Sequence, residues 1–200
     1  MSNAGDMNKT TKFALWGAVG FGVGGAIGGI AIVLTEYTGP LLMMKLWFLG
    51  LGVFLQGAFG GLALGVANRL SLKRIIVIVI STGTGFIAGL WAGFGISFIM
   101  SMGYRLATFS IVSWGVIAGA IGGLGLGLAI WGWDKILVLT FVGALTCGWQ
   151  QVYFAHRDWF QHLVVWDSLM VWVVFGIIGG AMLGAALGYL EERKADRGGD

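Results

Sequence analysis

Residues 111–131 read IVSWGVIAGAIGGLGLGLAIW, and within them Gly115, Gly119, Gly123 and Gly127 recur at every fourth position. The stretch carries no charge and reaches the roughly 20 apolar residues that a helix needs to cross a bilayer. A spacing of four places the glycines on one helix face. In water each would cost about 1 kcal/mol relative to alanine. In lipid the same strip lets two backbones approach closely, and packing there comes from van der Waals contact rather than from hydrophobic burial. The spacing therefore predicts a transmembrane helix with a glycine-lined packing strip.

The strip returns along the chain. Gly176, Gly180, Gly184 and Gly188 repeat it, as do Gly57, Gly61 and Gly65, and Gly20, Gly24 and Gly28. Gly85, Gly89 and Gly93 repeat it again, extended by Ser81 and Ser97. Six spans are expected, at about 13–34, 46–67, 75–99, 111–131, 136–154 and 169–190. The fold class is an all-α integral membrane protein, glycine-zipper packed. Residues 13–190 form a single domain, between a cytoplasmic segment 1–12 and a charged cytoplasmic tail 191–200. Composition agrees: 58% of residues are hydrophobic, 10% are charged and the mean hydropathy is +0.88, far outside the soluble range.

The connectors carry the charge, and its distribution gives an orientation. Lys9 and Lys12, then Arg69, Lys73 and Arg74, then Lys135, and finally Arg193, Lys194 and Arg197 fall on one side. Lys45, Arg105 and Arg157 fall on the other. Lys and Arg collect in cytoplasmic loops, so both termini are expected in the cytoplasm, with a bacterial inner (cytoplasmic) membrane as the location. Basic residues scattered between apolar runs offer no face for a phosphate backbone, so no nucleic-acid partner is expected. Trp16, Trp47, Trp114, Trp131, Trp133, Trp149, Trp159, Trp166 and Trp172 lie near span ends, where indoles favour the headgroup level.

The second, fourth and sixth spans share a segment. Residues 57–67 read GAFGGLALGVA, 119–129 read GAIGGLGLGLA and 176–186 read GIIGGAMLGAA. Copies some sixty residues apart, all running in the same direction, indicate a two-helix unit used three times in parallel topology. The doubled glycines Gly60-Gly61, Gly122-Gly123 and Gly179-Gly180 point about 100° apart. One member belongs to the strip and the other opens a second close-packing face. The fifth span, with only Gly143 and Cys147 in register, departs from the pattern and is expected to face lipid or a partner.

Chemistry-bearing residues are sparse. No ionisable side chain falls in the centre of a span, which argues against a proton-coupled carrier or pump. Ser81, Thr82, Thr84, Thr140 and Thr146 can each bond a carbonyl of their own helix. Gln56 cannot satisfy a carboxamide so simply, and serves either as glue between helices or as the lining of a pore or pocket. The outer segment 149–167, WQQVYFAHRDWFQHLVVWD, contains both histidines. From His156 onward it reads as an amphipathic helix lying in the interface. Trp149, Gln150, Tyr153, His156, Asp158 and His162 are its candidate ligand-lining residues. Asp158 and His162, even joined by His156, lack the cysteine or paired carboxylate that a metal centre would use. No metal, no cofactor and no catalytic residue are expected, because no nucleophile sits beside a base.

The composition therefore favours a non-enzymatic scaffold or channel-like subunit of a membrane assembly, associating with other subunits or with itself through glycine faces. The alternative is a small-solute-binding transport subunit with an outward-facing pocket under residues 149–167. A solid bundle would favour the first reading and a pocket beneath that segment the second. In span number, length and orientation the chain also resembles the substrate-binding subunits of energy-coupling-factor vitamin transporters. That resemblance is topological, the threefold hairpin repeat departs from it, and it assigns no residue.

Overall fold

The computed structural model describes residues 7–37, 42–103, 107–130, 132–155 and 165–197. Six helices account for nearly all of them: α1 (Lys9–Tyr37), α2 (Leu42–Ala67), α3 (Leu72–Gly103), α4 (Ala107–Ile130), α5 (Trp133–Ala155) and α6 (Val165–Arg197). Five, all but α5, contain runs long and apolar enough to cross a membrane. The apolar run of α5 is bounded by Asp134 and Lys135 at its start and by Gln150 and Gln151 near its end. At the other extreme α6 continues to Arg197, so the expected tail is helical through most of its length.

The start of α1 and the end of α2 each have a local reason. Asn8 caps α1, its Oδ1 accepting the Thr11 N–H at 2.7 Å. At the end of α2 the Leu70 N–H donates to the Gly65 carbonyl (3.2 Å) and the Arg69 N–H to the Val66 carbonyl (2.9 Å). This is a Schellman closure, with Arg69 in the left-handed region at φ 52°. One of the unpaired backbone donors at the start of α1 is met by α6: Thr10 N–H donates to the Glu192 carboxylate at 2.9 Å, and the Thr10 hydroxyl joins it at 2.8 Å.

The helices run antiparallel in chain order and close into a ring, each packed on its two neighbours and α6 returning to α1. One end of the ring, the terminal end, holds the start of α1 and the end of α6. The other is called the loop end. Five of the six joints bring backbones together at glycine. A methyl built on Gly17 would overlap the Gly180 carbonyl oxygen, one on Gly119 the Gly143 oxygen, and one on Gly123 the Leu139 oxygen. At Gly28 it would lie 2.6 Å from the Gly52 oxygen, at Gly57 3.0 Å from the Thr82 oxygen and at Gly85 3.1 Å from the Ile121 oxygen. The sixth joint differs. Among the described residues α5 and α6 touch far less than any other consecutive pair, and a methyl on Gly179 would meet only Thr146, at 3.6 Å.

The doubled glycines have separate partners. Gly61 faces Ile78 and Thr82 of α3, while Gly60 lies under the ring of Phe21 from α1. Gly123 faces α5, while Gly122 lies under the ring of Phe86 from α3, 2.8 Å from a built methyl. The second face of these two helices therefore receives a phenyl ring as well as the neighbouring backbone. Phe21 and Phe86 then meet edge to face at the centre of the ring, 5.8 Å apart. Below them the terminal half is filled by Phe13, Leu64, Ile78, Leu126, Leu139, Leu183 and Leu187, with at least one residue from every helix. Lys135 and Glu191 form an ion pair at the base of the α5/α6 joint, so Lys135 sits buried in the first turn of α5 rather than in a connector.

Candidate functional site

Above the phenylalanine pair the ring is hollow. A cavity of about 360 Å³ lies in the half nearer the loop end, at the small side of the roughly 300–1,000 Å³ typical of ligand pockets. All six helices line it: Phe21 from α1, Val53 and Gln56 from α2, Phe86 and Leu90 from α3, Trp114 and Ala118 from α4, Thr146, Cys147 and Gln150 from α5, and Trp172, Phe175 and Gly179 from α6. No Asp, Glu, Lys, Arg or His is among the described residues that line it. The packed leucines close it toward the terminal end, so no polar path runs past Gln56 through the described part of the bundle.

Two carboxamides give the cavity its polarity. Gln56 reaches in from α2, its Nε2 3.3 Å from where a Gly176 methyl would stand. The bare Cα of Gly176 follows chiefly from the Phe21 carbonyl of α1, which that methyl would overlap. Gln150 enters from α5, on the opposite side of the ring and nearer the loop end. It is 8% exposed, and among the described residues neither glutamine side chain has a hydrogen-bond partner in the protein. A carboxamide left dry and unpaired costs several kcal/mol, so these groups call for water or a ligand in the cavity.

The aromatic walls are held in place. Trp114 Nε1–H donates to the Leu90 carbonyl at 3.0 Å, and its ring meets Phe94 edge to face at 6.5 Å. The indole N–H is thus satisfied by α3, and the ring can present an apolar surface to the cavity. The Thr146 hydroxyl donates to the Gly143 carbonyl, three residues back at 3.0 Å. Ser81 donates instead across the α3/α4 joint to the Gly125 carbonyl, at 2.8 Å. The Thr82 and Thr140 hydroxyl oxygens are buried with no partner among the described residues, so neither makes the expected bond to its own helix.

Of the residues singled out from sequence, Gln56 and Gln150 meet in this cavity. Trp149 does not join them: it is 68% exposed and points off the ring, because consecutive helical residues diverge by about 100°. It continues an exposed, outward stripe with Leu137, Phe141 and Leu145. Tyr153 belongs to α5, but its side chain lies outside the described residues, and so do His156, Asp158 and His162 with the expected interfacial helix. Sequence reasoning missed Trp114 and Trp172, which read as headgroup-level indoles but turn into the cavity. Their signal was available only as helical phase: Trp114 shares a face with Ala118, and Trp172 with Phe175 and Gly179. Among the described residues no three His, Cys, Asp or Glu side chains converge as metal ligands. Comparison of the chain with protein-family models, with curated proteins and with solved structures returned no match.

Proposed function

We propose that the protein is a small-molecule-binding subunit of a membrane transport system, its ligand held in the cavity between Gln56, Gln150 and the aromatic walls. The observation that carries this reading is Gln150, 8% exposed, whose carboxamide has no hydrogen-bond partner among the described residues and faces a partly open hollow. A scaffold has no use for that arrangement, since filling the space with leucine would pack better at no polar cost. A channel would need a way past the leucine floor. With both termini in the cytoplasm, as the nine-to-three distribution of Lys and Arg supports, the cavity lies in the outer half of the membrane.

The wall is a glycine-zipper bundle of three hairpins related by a pseudo-threefold axis along the membrane normal. The direction in which each strip faces supports this: Gly57–Gly65 of α2 meet α3, Gly115–Gly127 of α4 meet α5, and Gly176–Gly188 of α6 meet α1. Each even helix thus leans on the helix that follows it around the ring.

The reading is tested by native mass spectrometry of the chain purified in mild detergent, beside Gly179→Phe. That substitution puts a ring into the cavity from a position whose nearest neighbour stands 3.6 Å away. The parent is expected to carry a small molecule in stoichiometric amount, and the folded variant to carry none. A parent that arrives empty, together with partner subunits that copurify equally with Gly179→Phe, would return the protein to the scaffold class.

A further inference from the structure

The chemistry of the cavity wall narrows what it accepts. We infer that the ligand is an uncharged, ring-bearing molecule that dissolves in the membrane and offers a neutral hydrogen-bonding group such as a hydroxyl, carbonyl or amide. The inference rests on the binding reading above and adds the class of ligand.

Three observations converge on it. The first is the lack of any Asp, Glu, Lys, Arg or His among the described lining residues. A carboxylate, phosphate or amine brought into this space would find no counter-charge, and an unpaired buried ion is far more costly than an unpaired dipole. The second is the aromatic content. Phe21, Phe86, Trp114, Trp172 and Phe175 come from four different helices and surround a volume that suits one or two fused rings. Faces and edges of this kind hold a flat apolar ligand by offset and edge-to-face contact. The third is the placement of the two carboxamides. They come from helices on opposite sides of the ring, and each offers two donors and one acceptor. A neutral polar group is what they can pair without a charge to compensate.

Cys147 supplies a local reporter, because it is the only cysteine of the chain and it lines the cavity. In lipid nanodiscs the full chain is alkylated with N-ethylmaleimide in the presence of 1-naphthol, 1-naphthoate or trimethyl(1-naphthyl)ammonium, three probes of similar ring size and different charge. The neutral 1-naphthol is expected to slow labelling of Cys147 at least fivefold and to raise the melting temperature, while the two ions do neither. Gln150→Leu should fold, melt no lower than the parent without ligand, and need at least tenfold more 1-naphthol for the same protection. Protection by either ion equal to that by 1-naphthol, or an unchanged requirement in Gln150→Leu, overturns the ligand class and leaves the cavity as a binding site. Should no probe protect, the ligand class also falls. In that case Gly179→Phe decides the rest: a labelling rate no different from the parent removes the binding reading too, and a changed rate preserves it.

Discussion

Gly119 and Gly143 stand so close that a methyl on either would overlap the carbonyl oxygen of the other. At such crossings the residue is glycine because backbone occupies the place of a side chain, not because the chain needs unusual dihedral angles. Gly123 is in the same position against Leu139, whereas Gly95, also helical, has no atom within 4 Å of a built methyl. The two sites make a matched pair. Gly123→Ala should lower the melting temperature in detergent by an amount corresponding to about 1–3 kcal/mol of overpacking. Gly95→Ala should leave it unchanged or raise it, since alanine improves helix propensity by up to about 1 kcal/mol. Equal melting of both variants with the parent would mean that the α4/α5 crossing is not set by the missing side chain.

Among the elements, the end of α2 carries a local cost. Arg69 takes the left-handed conformation that ends the helix, at a position where a side chain costs roughly 1–2 kcal/mol. Arg69→Gly is therefore expected to stabilise the protein by about 1 kcal/mol in a thermal melt, while Arg69→Ala, which keeps a Cβ, gives no such gain. Lys73 and Arg74, in the first turn of α3, keep basic charge beside the substituted position. The existence and extent of the helices were legible in the sequence, because long apolar runs and a four-residue spacing are local patterns. How each helix is turned was not. These helices are apolar nearly all round, so no polar face announces which side meets lipid and which meets the ring interior. That is why Gln56 and Gln150, whose polarity is visible in the sequence, stand out as candidate lining residues, Gln56 with interhelical glue as its alternative, while Trp114 and Trp172 read as headgroup-level indoles. The same blindness to phase put Trp149 beside Gln150 in the expected site, although the helix turns the two apart.

For the molecule as a whole, the joint between α5 and α6 sets what the ring can do. Among the described residues, five joints are locked by backbone contact at glycine, and the sixth is held at its base by Lys135 and Glu191 and is otherwise thinly packed. A closed hoop with one weak clasp does not breathe evenly. Compliance is expected to gather at the clasp, which borders the cavity through Thr146 and Gly179, so the hollow should widen sideways while its floor stays shut. The clasp can be fastened. The 3.6 Å between the Thr146 Cβ and a Cβ at position 179 matches the span of a disulfide. Thr146→Cys with Gly179→Cys, in a Cys147→Ser background, should cross-link on mild oxidation and slow the entry of 1-naphthol into nanodisc-embedded protein, with reduction restoring the rate. Entry that stays as fast in the oxidised form would mean that the hoop yields elsewhere. A slowed entry would make the bilayer itself part of the gate: any lipid that presses this clasp together or pries it apart sets how readily the cavity fills.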